Sequence, residues 1–387
     1  METITWTVSI QKILDDNRKW FCKQYGHQTR KICFKTVNTV LQCGTWSMGY
    51  ATHICTDCGD TKKVAFTCKS RFCNSCGKPA SDKRFSNLVS WRPDGVNYYH
   101  LAFTIPEELR PFFKRHRAAL KLLPQVASQA VRYYFQQQHK AIPWILAVIH
   151  TFGAQLNWNP HTHLIITDGW FTPHYTYKRT GFIPYKLILA SWKWQLLKTI
   201  KQWSYDNLQN PNKEVKLINY LYQQKDSNDE EKSWYIYFSP KVESFKVVFS
   251  YIGRYLKRPV IGQSRILHYD GDNVTYYYRD KYDNQIKIHT VTAIEFIWLL
   301  IQHIPPKSFP MVYYYGIFAN SRKKIFLLLL YQIVGRWPLQ TCVAKNMRER
   351  MLRYCWVDLS SCSCGWSYVL WSLHIPWYPT KYFREPD

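Results

Sequence analysis

The sequence predicts an α+β protein in which a metal-binding N-terminal module precedes a core of mixed strands and helices. Aromatic and β-branched runs that end at turn residues alternate with segments of helical periodicity. The cysteines are unevenly placed, with eight in residues 22–76, none in 77–341 and four in 342–364. At 387 residues the chain is long enough for two or three domains of about 100–200 residues each.

Strand-like and helical segments follow one another through the middle of the chain. Residues 97–106 are aromatic and β-branched, which indicates a strand. Residues 107–140 have helical periodicity, and we expect Pro124 to interrupt the helix. Two further strand-like runs, 144–152 and 162–171, flank a polar turn and extend the predicted sheet.

The later segments continue this alternation. The acidic cluster at 226–232 indicates an exposed loop, and 244–258 reads as a strand followed by a helix that ends at a proline. Residues 265–280 are strand-like, and 293–305 are helical.

Charge is the compositional outlier. The chain has 52 basic and 26 acidic side chains, a formal net charge of +26, and a polyanion such as nucleic acid is the first expected partner. Neither an amphipathic basic helix nor a lipidation signal points to a membrane. No signal peptide is visible, and the apolar runs fall short of the roughly 20 residues that span a bilayer. The protein is predicted to be cytoplasmic, where cysteines serve as metal ligands or buried thiols rather than disulfides.

Two CxxC pairs predict a zinc site. Cys55 with Cys58 and Cys73 with Cys76 have a spacing close to that of zinc ribbons, in which four thiolates complete a tetrahedron. Three further potential ligands lie nearby and leave open a second zinc or a substituted ligand: Cys43, His53 and Cys68. The alternative is four buried cysteines without metal.

Many cations surround these pairs. They suit contact with a phosphate backbone, although a solvated charged surface is the alternative. They are Lys62, Lys63, Lys69, Arg71, Lys78, Lys83 and Arg84.

A second constellation predicts phosphodiester chemistry. His161 and His163 begin an apolar strand and share one face of it, so both imidazoles can reach one ion. Two histidines alone would favour a structural pair. Tyr251 and Tyr255, one helical turn apart, add two phenols that can attack a phosphate. The cations that accompany them are Arg254, Lys257 and Arg258.

Five segments in order resemble the transposases of the insertion sequence ninety-one family, which are two-tyrosine rolling-circle enzymes of the HUH class. The segments are HICTDCG…FTCKSRFCNSCG (a zinc-binding region), YHLAFTIPEELR (the first core strand), IHTFGAQLNWNPHTHLIITDG (the histidine motif), YIGRYLKRP (the tyrosine helix) and EFIWLLIQHIPPKSFPMVYYYGIFAN (a C-terminal signature).

The resemblance implies an HUH endonuclease core, an antiparallel sheet flanked by helices, between a zinc module and a C-terminal α/β extension. The implied domains are 1–90, 91–262 and 263–387. His161 and His163 would bind Mg²⁺ or Mn²⁺, with Gln155 as the expected third ligand. Attack by a tyrosine would yield a 5′-phosphotyrosine and a free 3′-OH on single-stranded DNA at transposon ends and targets. No nucleotide cofactor is expected. The resemblance also implies a bacterial protein that associates with the nucleoid in the cytoplasm.

Some positions depart from the family pattern. Tyr313 and Trp298 stand where basic residues are usual, and Cys362-x-Cys364 is one residue short of a CxxC pair. The C-terminal spacing therefore predicts that the last 50 or so residues lack a second zinc site. Two alternatives remain: a replication initiator or relaxase with the same chemistry, and a catalytically decayed zinc-ribbon protein that only binds DNA.

Overall fold

A computed structural model describes most of the chain. The described residues are 9–77, 97–140, 142–171, 177–179, 183–224, 234–240, 259–280, 283–316, 319, 357–359 and 361–383.

Helices and antiparallel strands make up the described regions. In chain order the α-helices are α1 (Ile10–Asp16), α2 (Arg18–Tyr25), α3 (Lys31–Leu41), α4 (Arg110–Arg115), α5 (Leu122–His139), α6 (Tyr185–Asn207), α7 (Asn212–Gln223) and α8 (Ala293–Ile301). The strands are β1 (Tyr50–Cys55), β2 (Thr61–Ala65), β3 (Tyr98–Phe103), β4 (Ile142–Phe152), β5 (Trp158–Phe171), β6 (Tyr177–Arg179), β7 (Ile236–Phe238), β8 (Ile266–Tyr269), β9 (Asn273–Arg279), β10 (Ile286–Thr292), β11 (Val312–Gly316), β12 (Tyr368–His374) and β13 (Lys381–Tyr382).

The chain divides into two compact units, and each is discontinuous in sequence. The first comprises Met1–Ser86, Lys257–Ile304 and Cys342–Asp387, and the second comprises Asn87–Leu256 and Pro305–Thr341. The three consecutive domains expected at 1–90, 91–262 and 263–387 therefore do not match this division. The C-terminal region is split because β12 pairs with β1, whereas β11 pairs with β4.

The described part of the first unit contains the helices α1, α2, α3 and α8 and two small sheets. One sheet has the order β13-β12-β1-β2, and the other has the order β10-β9-β8. Helix α1 begins at Ser9, whose Oγ accepts a hydrogen bond from the amide of Lys12 (3.0 Å). Helix α8 begins with a capping box, in which Thr292 and Glu295 each accept from the other's backbone N–H. These caps satisfy amides that would otherwise lack partners at the helix ends.

The second unit is built on an antiparallel sheet with the order β11-β4-β5-β3-β7, and β6 extends it beside β5. One face of this sheet packs against α5 and α6 and forms an extensive hydrophobic core. Trp192 of α6 meets Phe103 of β3 edge to face, with ring centroids 5.2 Å apart. Because β5 lies between β4 and β3, its residues occupy the most protected part of the sheet.

The strands predicted at 97–106, 144–152 and 162–171 are confirmed as β3, β4 and β5. The interruption predicted at Pro124 is wrong. The helical segment breaks earlier, around His116, and Pro124 lies in the first turn of α5. A proline is accommodated there because first-turn amides have no carbonyl partner within the helix.

A tight turn joins β4 to β5. The amide of Gly153 donates to the carbonyl of Asn157 (3.2 Å), and Leu156 has a left-handed φ of 65°. A Cβ at residue 153 would meet the side-chain oxygen of Asn157, which would have to move, so glycine allows this close approach. The turn sets the register that brings β4 and β5 together.

Within the described part of the chain, no helix is both long enough and apolar enough to cross a bilayer.

Candidate active site and metal centres

Three histidines converge on the sheet face opposite the helical core. Strand register pairs His150 of β4 directly with His161 of β5, and it pairs His163 with Val148. Leu164 and Ile166 point into the helical core, which confirms the alternation predicted for this strand. One ring nitrogen from each of the three histidines lies within 4.8 Å of those of the other two. This spacing suits three ligands of one cation.

A backbone carbonyl orients His161. Its Nδ1 lies 2.7 Å from the carbonyl oxygen of Asn159. Because a carbonyl oxygen can only accept, Nδ1 carries the proton and donates it, which leaves the Nε2 lone pair available for a metal.

A fourth histidine supports His163. Nε2 of His100, on β3, lies 2.9 Å from Nδ1 of His163, and the two rings stack with centroids 5.1 Å apart. If His163 binds a cation through Nε2, its Nδ1 is protonated and must donate to His100. His100 then holds its own proton on Nδ1. The two rings thus form one consistent hydrogen-bonded pair behind the site.

Burial favours the neutral form of His161, His163 and His100. Burial is the main cause that lowers the pKa of His161 and puts that of His163 well below its ordinary value. Repulsion from His150, His161 and His100 adds to the lowering at His163. Burial and the neighbouring His161 also lower the pKa of His100 to about 4. Neutral imidazoles are the form that binds metals, so the donor set fits a divalent cation.

The expected third ligand, Gln155, lies in the turn between β4 and β5 and is exposed. His150 adds a third imidazole that converges with His161 and His163, and the assignment of Gln155 as a ligand stays a prediction. The two predicted nucleophiles and their flanking cations (Tyr251, Tyr255, Arg254, Lys257 and Arg258) lie outside the described residues.

Arg110, at the start of α4, adds positive charge close to the histidines. Its charge contributes to lowering the pKa of His161, after burial. The Arg110 side chain is 13% exposed and meets Glu107 only at 4.0 Å. Its buried Nε has no hydrogen-bond partner among the described residues. An anionic oxygen at this position would satisfy that donor.

Four cysteines form a thiol cluster in the first unit: Cys43, Cys68, Cys73 and Cys76. Sγ of Cys76 lies 3.5 Å from that of Cys43 and 3.6 Å from that of Cys68. Four sulfurs tetrahedrally bound at about 2.3 Å from zinc would be about 3.8 Å apart. The cluster therefore matches a zinc site.

The two CxxC pairs do not share this cluster, which corrects the predicted single tetrahedron. Cys55 and Cys58 lie instead with Cys362 and Cys364. The reason is the sheet order. Cys55 ends β1 and stands opposite Tyr368 of β12, so the chain's C-terminal region reaches it. His53 is buried within β1 and belongs to neither cysteine cluster.

The cations near the cysteines have mixed roles. Lys69 is exposed in a left-handed conformation (φ 54°), and Arg71 is partly buried. Nζ of Lys62 donates to the Asp358 carbonyl (3.0 Å), and Lys63 lies over the Tyr50 ring (5.2 Å). Lys62 and Lys63 thus have intramolecular partners, while Lys69 remains a candidate for phosphate contact. Three others, Lys78, Lys83 and Arg84, lie outside the described residues.

Sequence reasoning missed several of these residues. His150 could have been found by folding 144–152 onto 162–171 as a hairpin, since that register sets it opposite His161. His100 lies on a strand distant in sequence, and no local pattern marks it. The pairing of Cys362 and Cys364 with Cys55 and Cys58 spans about 300 residues and has no local signal.

These features define a basic α+β protein with two kinds of candidate metal site. Cysteine clusters lie in the first unit, and an imidazole cluster lies on the antiparallel sheet of the second. Comparison with known proteins specifies the family. A family model described as "Transposase zinc-binding domain" matches residues 13–105, and one described as "Putative transposase" matches residues 145–325. The chain belongs to the IS91 family of transposases.

Curated relatives agree with this assignment. The transposase for insertion sequence element IS801 of Pseudomonas savastanoi pv. phaseolicola is 30% identical over 75% of this chain and 71% of its own length. The putative transposase y4qJ of Sinorhizobium fredii is 24% identical over 84% of this chain and 85% of its own. No solved structure matches. The zinc-binding region and the cysteine clusters together support structural Zn²⁺.

Proposed function

We propose that this transposase nicks and rejoins single-stranded DNA through a 5′-phosphotyrosine intermediate, as expected of an HUH enzyme in rolling-circle transposition. The observation that carries the proposal is the convergence of His150, His161 and His163 on one sheet face, with the His161 tautomer set by a carbonyl. A purely structural pair of histidines would not require a third imidazole whose ring nitrogen lies within 4.8 Å of theirs.

The proposed ligands are the three imidazoles, with His150 in place of Gln155. Mg²⁺ or Mn²⁺ held there would supply Lewis-acid polarisation of the scissile phosphate. The carbonyl of Asn159 and the ring of His100 keep the ligand nitrogens of His161 and His163 unprotonated. Because burial already favours the neutral rings, protons compete little for the site at neutral pH.

The covalent step falls to Tyr251 or Tyr255. The phenol oxygen attacks phosphorus and gives its proton to water as the P–O3′ bond breaks. The leaving O3′ takes a proton from water and becomes the free 3′-OH. The new phosphotyrosine conserves the phosphodiester's energy, so rejoining requires no nucleotide. Two tyrosines allow donor and target strands to be held in turn.

Cations hold the strand in this proposal. The unpartnered guanidinium nitrogen of Arg110 is suited to a non-bridging phosphate oxygen beside His161. Further phosphate contacts are assigned to Lys69, Arg71, Arg254, Lys257 and Arg258. The formal charge of +26 supplies the long-range attraction.

The test uses single-stranded oligonucleotides that tile the DNA flanking the gene, with Mn²⁺. A 3′ label should transfer to the protein, and a 5′-labelled fragment should end in a 3′-OH that a polymerase extends. His163→Ala should abolish both while retaining DNA binding. The matched control is His268→Ala, since His268 is exposed on β8. Cleavage that leaves a free 5′-phosphate, or an adduct formed by His163→Ala, would contradict the proposal.

The two alternatives are less well supported. A replication initiator or relaxase would share the chemistry, but the matches to transposases favour transposition. A decayed DNA-binding protein would have no reason to keep three imidazoles converged and oriented.

A further inference from the structure

Cys55, Cys58, Cys362 and Cys364 form a second thiol cluster, of which only Cys55 and Cys58 fall within the residues that the zinc-binding family model matches, because that match ends at residue 105. Cys55 ends β1, and Cys58 follows in the turn that leads to β2. The other two cysteines precede β12, the strand that pairs with β1 on the side away from β2. The cluster therefore joins two strands that are distant in sequence but lie side by side in the middle of one sheet.

The sulfur positions fit a tetrathiolate site. Sγ of Cys55 lies 3.4 Å from that of Cys364, and Sγ of Cys58 lies 3.4 Å from that of Cys362. All four sulfurs lie within 4.8 Å of one another. A disulfide would require about 2.05 Å, and these cysteines are not disulfide bonded. Zinc ligands at about 2.3 Å from the metal would be about 3.8 Å apart, close to the observed separations.

Matching turns present the two cysteine pairs. After Cys55, the amide of Gly59 donates to the Cys55 carbonyl (3.2 Å), and Gly59 has a left-handed φ of 74°. After Cys362, the amide of Gly365 donates to the Cys362 carbonyl (3.0 Å), and Gly365 has a φ of 93°. The Cys362-x-Cys364 spacing thus forms a turn equivalent to a CxxC knuckle, although it is one residue shorter.

Charged and aromatic side chains border the cluster, and a carboxylate oxygen of Asp60 lies 4.0 Å from Sγ of Cys362. The ammonium group of Lys62 lies 4.2 Å from the centre of the Tyr368 ring and donates to the Asp358 carbonyl. The Tyr368 hydroxyl donates to the Asp60 carboxylate. Leu359 and Val64 pack against the buried side of the cluster.

We propose that Cys55, Cys58, Cys362 and Cys364 bind a second structural zinc ion, which clasps the C-terminal strand β12 onto the N-terminal strand β1. The zinc at Cys43, Cys68, Cys73 and Cys76 is a separate site. This proposal departs from the expectation that the last 50 or so residues lack a second zinc site. This proposal does not depend on the nicking chemistry, because the clasp lies in the first unit and the histidines lie in the second.

Metal analysis of the purified full-length chain tests the stoichiometry. Wild type should contain two zinc ions per chain, and the double variant Cys362→Ser/Cys364→Ser should contain one. Cys73→Ser should also contain one, from the clasp. The control, Cys22→Ser, replaces an exposed cysteine outside both clusters and should keep two. One zinc in folded wild type, or two in the Cys362/Cys364 variant, would overturn the proposal.

Alkylation of the wild type avoids any folding defect of the variants. Cys58 and Cys364 are exposed, so as free thiols they should react quickly with iodoacetamide. We expect mass spectrometry to find both protected in the zinc-loaded protein and labelled after chelation. Rapid labelling before chelation, or a peptide carrying a Cys55–Cys364 or Cys58–Cys362 disulfide, would overturn the proposal.

Discussion

Replacing His100 tests the hydrogen-bonded support behind the proposed metal site. His100→Leu removes the acceptor nitrogen that lies 2.9 Å from Nδ1 of His163. The leucine that replaces it on β3 is apolar but similar in size. His163 is buried, so its Nδ1–H would lose the acceptor that His100 provides when the metal binds through Nε2. An unsatisfied buried donor costs about 1–3 kcal/mol. Loss of a group that orients a metal-bound histidine lowers metal affinity about 10–100-fold, or about 1.4–2.7 kcal/mol.

Mn²⁺ titration followed by electron paramagnetic resonance measures this affinity directly. The Kd of His100→Leu should rise about 10–100-fold over wild type. His100→Gln keeps an acceptor oxygen and should recover much of the loss, and the exposed-site control His268→Leu should match wild type. Circular dichroism should show the same fold for all variants. Wild-type Mn²⁺ affinity in folded His100→Leu, or equal losses in the Leu and Gln variants, would refute the reasoning.

Three further predictions concern stability, DNA binding and the nucleophiles. Burial raises the pKa of Glu214, but its backbone amide, His116 (3.5 Å) and Arg115 (3.3 Å) outweigh this, so the pKa is lowered on folding. Glu214→Gln should therefore lower the free energy of unfolding by about 1 kcal/mol at pH 7, measured in urea, and the difference should disappear as the pH falls below that pKa. Affinity for single-stranded DNA should fall steeply with salt, with a slope of log K against log salt of about −0.7 per neutralised phosphate. Tyr251→Phe/Tyr255→Phe should form no covalent DNA adduct, and each single variant should be impaired in complete transposition.

Distinct results would contradict each of these. A stability difference between wild type and Glu214→Gln that is unchanged at pH 3 would exclude the ionised carboxylate as its source. Binding that does not respond to salt would assign the positive charge to another partner. DNA cleavage by the double tyrosine variant would indicate attack by water.

Local spacing determined much of this protein without tertiary information. The apolar runs at 97–106, 144–152 and 162–171 formed strands, because alternation and β-branched residues act over a few residues. The i, i+2 spacing of His161 and His163 placed both on one strand face for the same reason. The five ordered segments indicated the IS91 family, and the comparisons confirmed it.

Tertiary structure decided which distant residues share a site. Two equivalent CxxC pairs entered different clusters because β12 lies beside β1 and brings Cys362 and Cys364 to one pair only. His150 joined the site through hairpin register, and His100 joined it through the neighbouring strand β3. Strand order is set by packing over the whole chain, and a motif of a few residues contains no record of it. Sequence therefore determined the kinds of ligand and their local geometry, whereas the fold determined which ligands are grouped together.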